Sequence, residues 1–493
     1  MSPTSVDTTH RVWIATTNEN IKHVKTTLEK ANIYDKTSKI QKVVSNADEH
    51  FIACNGKISL SKYHSLIPTT VLKSSAEDTI PASLQRSLSS LSLGSQEYAL
   101  FMAEQPFREH VESSRSSNPI SRVAQLWLEQ LRRYSGPEIQ HIIQAESWSY
   151  QIYHPLLLLG PSSFGSDTWR TLFNDKTVID EFSVLYSMMC SVSGCTHIAI
   201  NGRILPEVES SVSSQDSVIN VLRSPSCLVP LHGKFGSRTD VASRTTLEES
   251  LWASATQNGI HQIFAPIHTM FSRGNIKEKA RILRLAQQET ESYSAIDLYA
   301  GIGYFAFSYA KGGAAVVLGW EINEWSVEGF RRGASKNGWG VKVYNGGEPS
   351  VNSLRSWLDS RNGHESSSPK LAIFAESNEA APRQMEILRN VMPPVRHVNC
   401  GYLPSSSESW TLAIRCLDRN RGGCIHVHEN VRAKYIEARG LEIQDIFETL
   451  LEKHLGDTSM TLQCRHTERV KSYAPGVVHC VFDIYVSREI GGL

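Results

Sequence analysis

The chain has 493 residues, of which 40% are hydrophobic and 20% charged, and its 50 basic residues balance its 50 acidic residues. This length predicts two to four domains at about 100–200 residues each, and the composition is that of a globular protein. The net charge of zero gives no bulk signal for nucleic-acid binding, although a local basic patch is still compatible with it.

The cysteines and the N-terminus indicate the cellular compartment. Nine cysteines are scattered without a CxxC pair, so neither a metal site nor a disulfide framework is predicted, and free thiols in a reducing compartment are expected. Residues 1–11 are polar and lack the apolar core of a signal peptide. No run of about 18 apolar residues could span a membrane. These features predict a cytoplasmic enzyme with no membrane partner.

The first predicted unit is a small α/β module over residues 1–75. Residues 11–15 predict a strand, and apolar residues three or four apart over 19–31 predict a helix. Residues 76–120 are rich in serine, a composition that predicts a mobile linker.

The second predicted unit is a middle domain over residues 121–290. A helix is expected over 123–131, and strands are expected over 196–200 and 262–266. This unit also contains the segment that precedes the third predicted unit.

Residues 291–493 change to strand–helix alternation, which is typical of an α/β, Rossmann-like, doubly wound and mostly parallel sheet. The polar stretch 346–369 is predicted to be an insertion before the third strand. The expected strands are 295–298, 315–320, 371–375, 395–398, 424–428 and 476–486.

A glycine motif lies at the first strand–helix junction of this domain. In residues 297–305 (DLYAGIGYF), Gly301 and Gly303 allow a backbone to pass close to a ligand. Glu321 ends the next strand, where such folds bind ribose hydroxyls. Ala306 stands where dinucleotide-binding motifs have a third glycine, which favours S-adenosylmethionine over NAD. The alternative is that the glycines only make a tight turn.

The same motif resembles a group of tRNA-modifying enzymes that joins one branch of tRNA guanine-N1 methyltransferases with the wybutosine-synthesizing protein 2 enzymes. Three further blocks are similar to the second branch, and most of all to its fungal type: 270–279 (MFSRGNIKEK), 401–410 (GYLPSSSESW) and 425–431 (IHVHENV).

The resemblance extends to the N-terminus. Residues 32–39 and 67–70 are similar to the opening module of that family. The likeness covers most of the chain and is weak over 74–120 and 341–369.

The resemblance implies a class I S-adenosylmethionine-dependent transferase domain. Such enzymes transfer the 3-amino-3-carboxypropyl group of S-adenosylmethionine to the tricyclic base 4-demethylwyosine beside the anticodon of tRNA(Phe), and they release methylthioadenosine. The expected partner is the anticodon stem-loop and body of tRNA(Phe). The middle domain over 121–290 is then expected on the tRNA side, with the segment that covers the cofactor. The oligomeric state is left open, with a monomer as the expectation.

The resemblance also implies which residues bind the cofactor. Glu321 is expected at the ribose, Ser377 and Asn378 beside the adenine, and Lys279 at a carboxylate. The full expected set is Ser272, Lys279, Asp297, Tyr299, Ala300, Gly301, Gly303, Phe305, Glu321, Ser377, Asn378 and Asn399.

The acceptor and the catalytic base are less clearly indicated. Asn399 is not followed by the two prolines that amino-group methyltransferases often carry, which favours a carbon acceptor over a ring nitrogen. No base is identified; Glu278 is a candidate, and pairing with Lys279 or Arg281 is its alternative role.

Other patterns have competing explanations. His426 and His428 share one face of a strand and suggest a metal only weakly, because no third ligand follows in spacing. Trp410 is a candidate for stacking on a base. A lysine cluster either contacts tRNA phosphates or forms a solvated helix face: Lys22, Lys25, Lys30, Lys36, Lys39 and Lys42.

Two other functions compete with aminocarboxypropyl transfer. One is a tRNA guanine-N1 methyltransferase of the related branch, which would release S-adenosylhomocysteine. The other is a non-catalytic RNA-binding protein with the same fold, which would not bind the cofactor.

Overall fold

A computed structural model gives the fold of the protein in two compact units, Met1–Ser117 and Asn118–Leu493. None of its described helices is long and apolar enough to cross a membrane. The described residues are 9–17, 20–31, 33–34, 41–42, 52–53, 63, 65–74, 82–89, 98–104, 118–202, 207–209, 217–219, 225, 227–239, 241–346, 353, 356–358, 369–455 and 460–488.

The first unit contains a five-stranded antiparallel sheet in the order β2-β4-β1-β5-β3. The predicted first strand and helix are both present, and the helix buries Val24 and Leu28 against the sheet. The elements are β1 (Thr9–Thr16), α1 (Ile21–Lys30), β2 (Gln41–Lys42), β3 (Ile52–Ala53), β4 (Ser65–Ser74), α2 (Ala82–Ser89) and β5 (Tyr98–Glu104).

The serine-rich stretch differs from the linker predicted over 76–120. Strand β5 pairs with β1 along its whole length, and α2 buries Leu84 and Leu88 in the same core. Apolar residues at helical and strand spacing therefore outweigh the polar composition around them. Residues 105–117 lie outside the described residues, as does most of the segment 32–39.

The second unit begins with a four-stranded sheet in the order β11-β8-β7-β6. Its core includes Trp127 and Trp169, whose stacked rings have centroids 5.9 Å apart. The elements are α3 (Pro119–Leu131), α4 (Gly136–Gln144), β6 (Tyr150–Tyr153), β7 (Leu156–Leu159), α5 (Asp167–Asn174), α6 (Phe182–Ser193), β8 (His197–Ile200), β9 (Glu207–Glu209), β10 (Ser217–Ile219) and β11 (Val229–His232).

A hairpin and a helix connect this part to the large sheet. They are α7 (Arg244–Glu249), β12 (Ala253–Gln257), β13 (Ile260–Phe264) and α8 (Ile276–Gln288). A Cβ on Gly329, in the helix that packs on β13, would lie 2.7 Å from the carbonyl oxygen of Ile263. This close approach is one of the contacts that join residues before and after the predicted boundary at 290 in one compact unit.

The large sheet has eight strands in the order β16-β17-β15-β14-β18-β19-β21-β20. The elements are β14 (Ser294–Asp297), α9 (Ala306–Gly312), β15 (Val316–Trp320), α10 (Glu324–Lys336), β16 (Val341–Tyr344), β17 (Lys370–Phe374), α11 (Ala381–Leu388), β18 (Val395–Cys400), α12 (Trp410–Cys416), β19 (Gly423–Arg432), α13 (Ile436–Leu455), β20 (Met460–Ala474) and β21 (Val477–Arg488).

This topology confirms the predicted Rossmann-like α/β fold. Strands β14 to β19 are parallel, and β21 and β20 add an antiparallel edge. The carboxyl ends of the parallel strands meet at one edge of the sheet, where ligands bind in such folds. The predicted insertion at 346–369 lies almost wholly outside the described residues.

A buried ion-pair network joins α8 to this sheet. Arg281 donates to both oxygens of Asp483 on β21, at 2.5 and 3.1 Å, and to both oxygens of Glu278, at 2.6 and 2.8 Å. His426 lies 2.7 Å from Asp483 as well. Burial raises the pKa of Glu278, whereas His426 and Arg281 hold the pKa of Asp483 low despite its burial.

Replacing this arginine should destabilise the second unit strongly. The Arg281→Ala variant leaves two carboxylates without their shared partner in a buried site, so we expect a loss of about 3–5 kcal/mol in the free energy of unfolding. Arg244→Ala is the control, because its pair with Glu248 is exposed and should contribute less than about 1 kcal/mol. Denaturant unfolding measures both, and equal losses would contradict the assignment.

Candidate functional site

The loop after β14 is organised by a buried carboxylate. Asp297 is fully buried, and its oxygens accept hydrogen bonds from the backbone N–H groups of Tyr299 (3.3 Å) and Ala306 (3.2 Å) and from Nδ2 of Asn399 (3.2 Å). Burial raises the pKa of Asp297 to about 6, and these hydrogen bonds act against the rise. The carboxylate therefore holds the loop in shape.

Two glycines make the turn possible. Gly301 and Gly303 have φ angles of 53° and 88°, in the left-handed region that favours glycine. A Cβ on Gly303 would lie 2.5 Å from the ring of Phe307. The carbonyl of Gly303 accepts a hydrogen bond from Nε2 of Gln262, at 3.2 Å, so the hairpin β12–β13 also supports the loop.

Glu321 lies at the carboxyl end of β15, beside this loop. Its Oε2 accepts a hydrogen bond from the N–H of Gly301 at 2.9 Å, and its Oε1 accepts one from the N–H of Asn323 at 2.8 Å. Burial raises the pKa of Glu321 to about 7, although these N–H groups favour the charged form. The two oxygens together offer about four acceptor sites, so the carboxylate can still accept from the ribose.

The residues expected beside adenine lie on the neighbouring strand end. Asn378 donates from Nδ2 to the carbonyl of Leu298 at 2.8 Å, which ties the end of β17 to the loop. The Ser377 hydroxyl accepts from the N–H of Glu379 at 3.3 Å and caps a short 3-10 turn. Tyr299 stacks on Tyr402, with ring centroids 5.2 Å apart.

Lys279 is a buried lysine. Its side chain on α8 is 2% exposed, its Nζ donates to Oε1 of Gln262 at 2.8 Å, and it lies 5.0 and 5.1 Å from the ring centroids of Phe271 and Tyr304. Burial, with a smaller contribution from nearby Lys471, lowers the pKa of Lys279 to about 7.

The surroundings of Lys279 fit an anionic ligand group. Among the ion pairs of the described residues, none pairs Lys279 with a carboxylate. A buried charge without a counter-ion is costly, so the site suits a ligand that brings a carboxylate, as S-adenosylmethionine does.

The segment before α8 closes over the same region. The Ser272 N–H donates to the Tyr304 hydroxyl at 3.2 Å, and the Tyr304 hydroxyl donates to the carbonyl of Met270. The Ser272 hydroxyl accepts from Nζ of Lys471 on β20, at 3.2 Å. Sequence reasoning missed Lys471, because only the pairing of distant strands brings it here.

The structure gives Glu278, the candidate base, a different position. Both of its oxygens bond to Arg281, and the residue is fully buried. Pairing with Arg281, the alternative role of Glu278, is the one found in the structure. We infer that Glu278 positions α8 through Arg281.

Cys424, His426 and Asp483 lie close enough together to suggest a metal site, with ligand atoms within 4.8 Å of one another. Asp483 is already bonded to His426 and Arg281. The guanidinium beside this carboxylate repels a cation, so the cluster is better explained as part of the buried ion-pair network.

The chain is similar in sequence to a known family domain and to two named relatives. Residues 254–346 match the family model described as the TRM5/TYW2 methyltransferase domain. The chain is 39% identical to tRNA wybutosine-synthesizing protein 2 of Schizosaccharomyces pombe, over 68% of this chain and 72% of the relative. It is 30% identical to the Saccharomyces cerevisiae protein of the same name, over 71% of this chain and 76% of the relative.

One solved structure that is similar to this chain is P. horikoshii TYW2 in complex with MeSAdo. It is 15% identical and covers 75% of this chain and 99% of its own, with a TM-score of 0.44. Because that score is below 0.5, the family assignment depends on the sequence relatives.

The Gly303→Ala variant tests the glycine turn. A Cβ there meets the Phe307 ring and forces a positive φ on alanine, so we expect a loss of roughly 1–3 kcal/mol in unfolding free energy and weaker binding of S-adenosylmethionine. In the control Gly338→Ala, φ is also positive (80°), but the Cβ meets nothing within 4 Å. Titration calorimetry should show weaker binding only for Gly303→Ala; equal affinities in both variants would disprove this role.

Proposed function

The chain belongs to the tRNA wybutosine-synthesizing protein 2 family, and we propose that it transfers the 3-amino-3-carboxypropyl group of S-adenosylmethionine to 4-demethylwyosine in tRNA(Phe). The observation that carries this proposal is the 39% identity to a family member over 68% of the chain. The other product is methylthioadenosine. A cytoplasmic location, a monomeric state and recognition of the anticodon stem-loop and body of tRNA(Phe) belong to the same proposal.

The expected role of each residue in binding S-adenosylmethionine follows from the positions of the charged groups. S-adenosylmethionine supplies a sulfonium in which three carbons are open to attack. Glu321 holds the ribose hydroxyls, while Asn378 and Tyr299 lie on the adenine side. Lys279 holds the carboxylate of the amino-acid arm. Holding the adenosine and the amino-acid arm of S-adenosylmethionine together orients the γ-carbon toward the acceptor. Orientation of this kind can favour attack at the γ-carbon even though the methyl group is less hindered.

The segment after Asn399 supports a carbon acceptor. The two prolines that often follow such an asparagine in amino-group methyltransferases are absent, since Cys400 and Gly401 stand there. The Asn399 side chain itself does not separate the two alternatives, because its Nδ2 donates to Asp297 while its Oδ1 has no partner among the described residues.

The reaction products distinguish the candidate functions. We expect incubation with S-adenosylmethionine and tRNA(Phe) carrying 4-demethylwyosine to give methylthioadenosine and a base heavier by one aminocarboxypropyl group. Nucleoside mass spectrometry measures both. A base heavier by one methyl group, with S-adenosylhomocysteine, would support the methyltransferase alternative, and no turnover or cofactor binding would support the non-catalytic one.

Two substitutions separate the two ends of the cofactor site. Lys279→Met should weaken binding of S-adenosylmethionine by about 10-fold or more, because a hydrogen bond to a charged group contributes about 1.5–3 kcal/mol. It should leave binding of methylthioadenosine, which lacks the carboxylate, nearly unchanged. Glu321→Gln should weaken both ligands, since both carry the ribose.

Titration calorimetry of each variant with each ligand measures these effects. Lys277→Met is the matched control, because Lys277 is exposed on the same helix turn. Equal losses for the two ligands in Lys279→Met would show that Lys279 does not hold the carboxylate.

A further inference from the structure

A pair of buried histidines lies beside the cofactor loop. His428 on β19 is 1% exposed and His479 on β21 is fully buried, and Nδ1 of His428 lies 3.0 Å from Nε2 of His479. The other ring nitrogens, Nε2 of His428 and Nδ1 of His479, have no hydrogen-bond partner among the described residues. Buried polar groups almost always have one, so each exception needs an explanation.

More such atoms surround the pair. The register of the strands places Asn399, His428, Asn430 and His479 on one face of the sheet, since Asn399 pairs with His426 and Asn430 pairs with His479. Oδ1 of Asn399 and both amide atoms of Asn430 are also buried without a partner among the described residues. Four side chains thus offer unused hydrogen-bonding capacity in one region.

This region adjoins the cofactor loop. The ring of Phe305, the last residue of the glycine motif, has its centroid 5.0 Å from that of His428. Lys471 pairs with His479 on the adjacent strand and also binds Ser272, which belongs to the segment that closes over the site. The histidine pair therefore lies beside the cofactor loop and next to the strand whose Lys471 holds the segment around Ser272.

A neighbouring histidine shows that the lack of hydrogen-bond partners is specific to this pair. His426 lies two residues earlier on the same face of β19, and both of its nitrogens are used: Nδ1 by Asp483 at 2.7 Å and Nε2 by His397 at 3.1 Å. Burial on this face does not by itself leave a histidine without partners.

Both members of the pair are neutral at physiological pH. Burial lowers the pKa of His428 well below its usual range and that of His479 to about 4. The facing cations Lys471 and Arg281 add to this effect, and Asp483 opposes it. A neutral imidazole that donates through Nδ1 to its neighbour keeps a lone pair on Nε2, which describes His428 when it donates to His479.

We propose that His428, positioned by His479, is the base that removes the proton from the acceptor carbon. This inference rests on the proposed function. As the acceptor carbon bonds to the γ-carbon, the C–S bond breaks and its electron pair stays on sulfur. The ring is left cationic, its C–H bond electrons return to the ring, and the proton moves to Nε2 of His428. A cationic adduct is a strong acid, so a weakly basic imidazole is sufficient.

The His428→Ala variant with added imidazoles tests this role. We expect the turnover rate to fall by about 10²–10⁴-fold, while the affinity for S-adenosylmethionine in calorimetry changes by less than about threefold. Imidazole and its methylated forms should restore turnover, and the restored rate should rise with the pKa of the added base. If the added imidazoles only filled the space left by the side chain, the restored rates would depend on the size of the added base and not on its pKa.

Controls keep this test separate from the proposed function. His466→Ala removes an exposed histidine of β20 and should keep the wild-type rate, with no effect of imidazole. If circular dichroism shows that His428→Ala does not fold, His428→Gln takes its place, because it keeps a polar group beside His479. The expected loss of turnover is the same. Wild-type turnover or pKa-independent rescue in the His428 variants would overturn the inference, whereas a wild-type protein that makes no aminocarboxypropyl product would overturn the function.

Discussion

The arrangement of the site depends on one buried carboxylate. Asp297 has no contact with solvent, so its charge must be compensated by hydrogen bonds from the protein. The N–H groups of Tyr299 and Ala306 can reach it only when the chain between them folds back as a tight turn. Asn399 supplies a further donor from the neighbouring strand. This tight turn also presents the N–H of Gly301 to Glu321. The buried Asp297 carboxylate therefore sets the relative position of the ends of β14 and β15.

Around this centre, several polar groups are buried with fewer partners than they could use. Lys279 has an amide and two aromatic rings for its charge, and the histidine pair has two free nitrogens. Such groups reduce the stability of a folded protein unless another interaction offsets the cost. In the ion-pair network of Arg281, by contrast, every charged group is matched. That contrast separates the groups that hold the fold from those suited to a ligand.

The parts of the site that sequence reasoning found are local. The glycine motif and Glu321 lie at the ends of adjacent strands, so the order of elements in a Rossmann-like fold brings them together. The role of Glu278 was not decided by the sequence, because a carboxylate at this position can serve as a base or as an ion-pair partner. Only its two bonds to Arg281 decide between these roles. The serine-rich stretch was assigned by composition, which cannot register the pairing of β5 with β1.

The amino-acid sequence by itself determined the fold class, the cofactor loop and the family, because these depend on short motifs and on the periodicity of apolar residues. The tertiary structure decided which charges meet. Arg281 and Asp483 are 202 residues apart, and Lys471 reaches Ser272 across 199 residues. His428 and His479 meet because β19 pairs with β21 in an antiparallel register that no local pattern encodes. Side-chain charge and hydrogen bonding act over a few ångströms, so partners distant in sequence become visible only once the strands are placed.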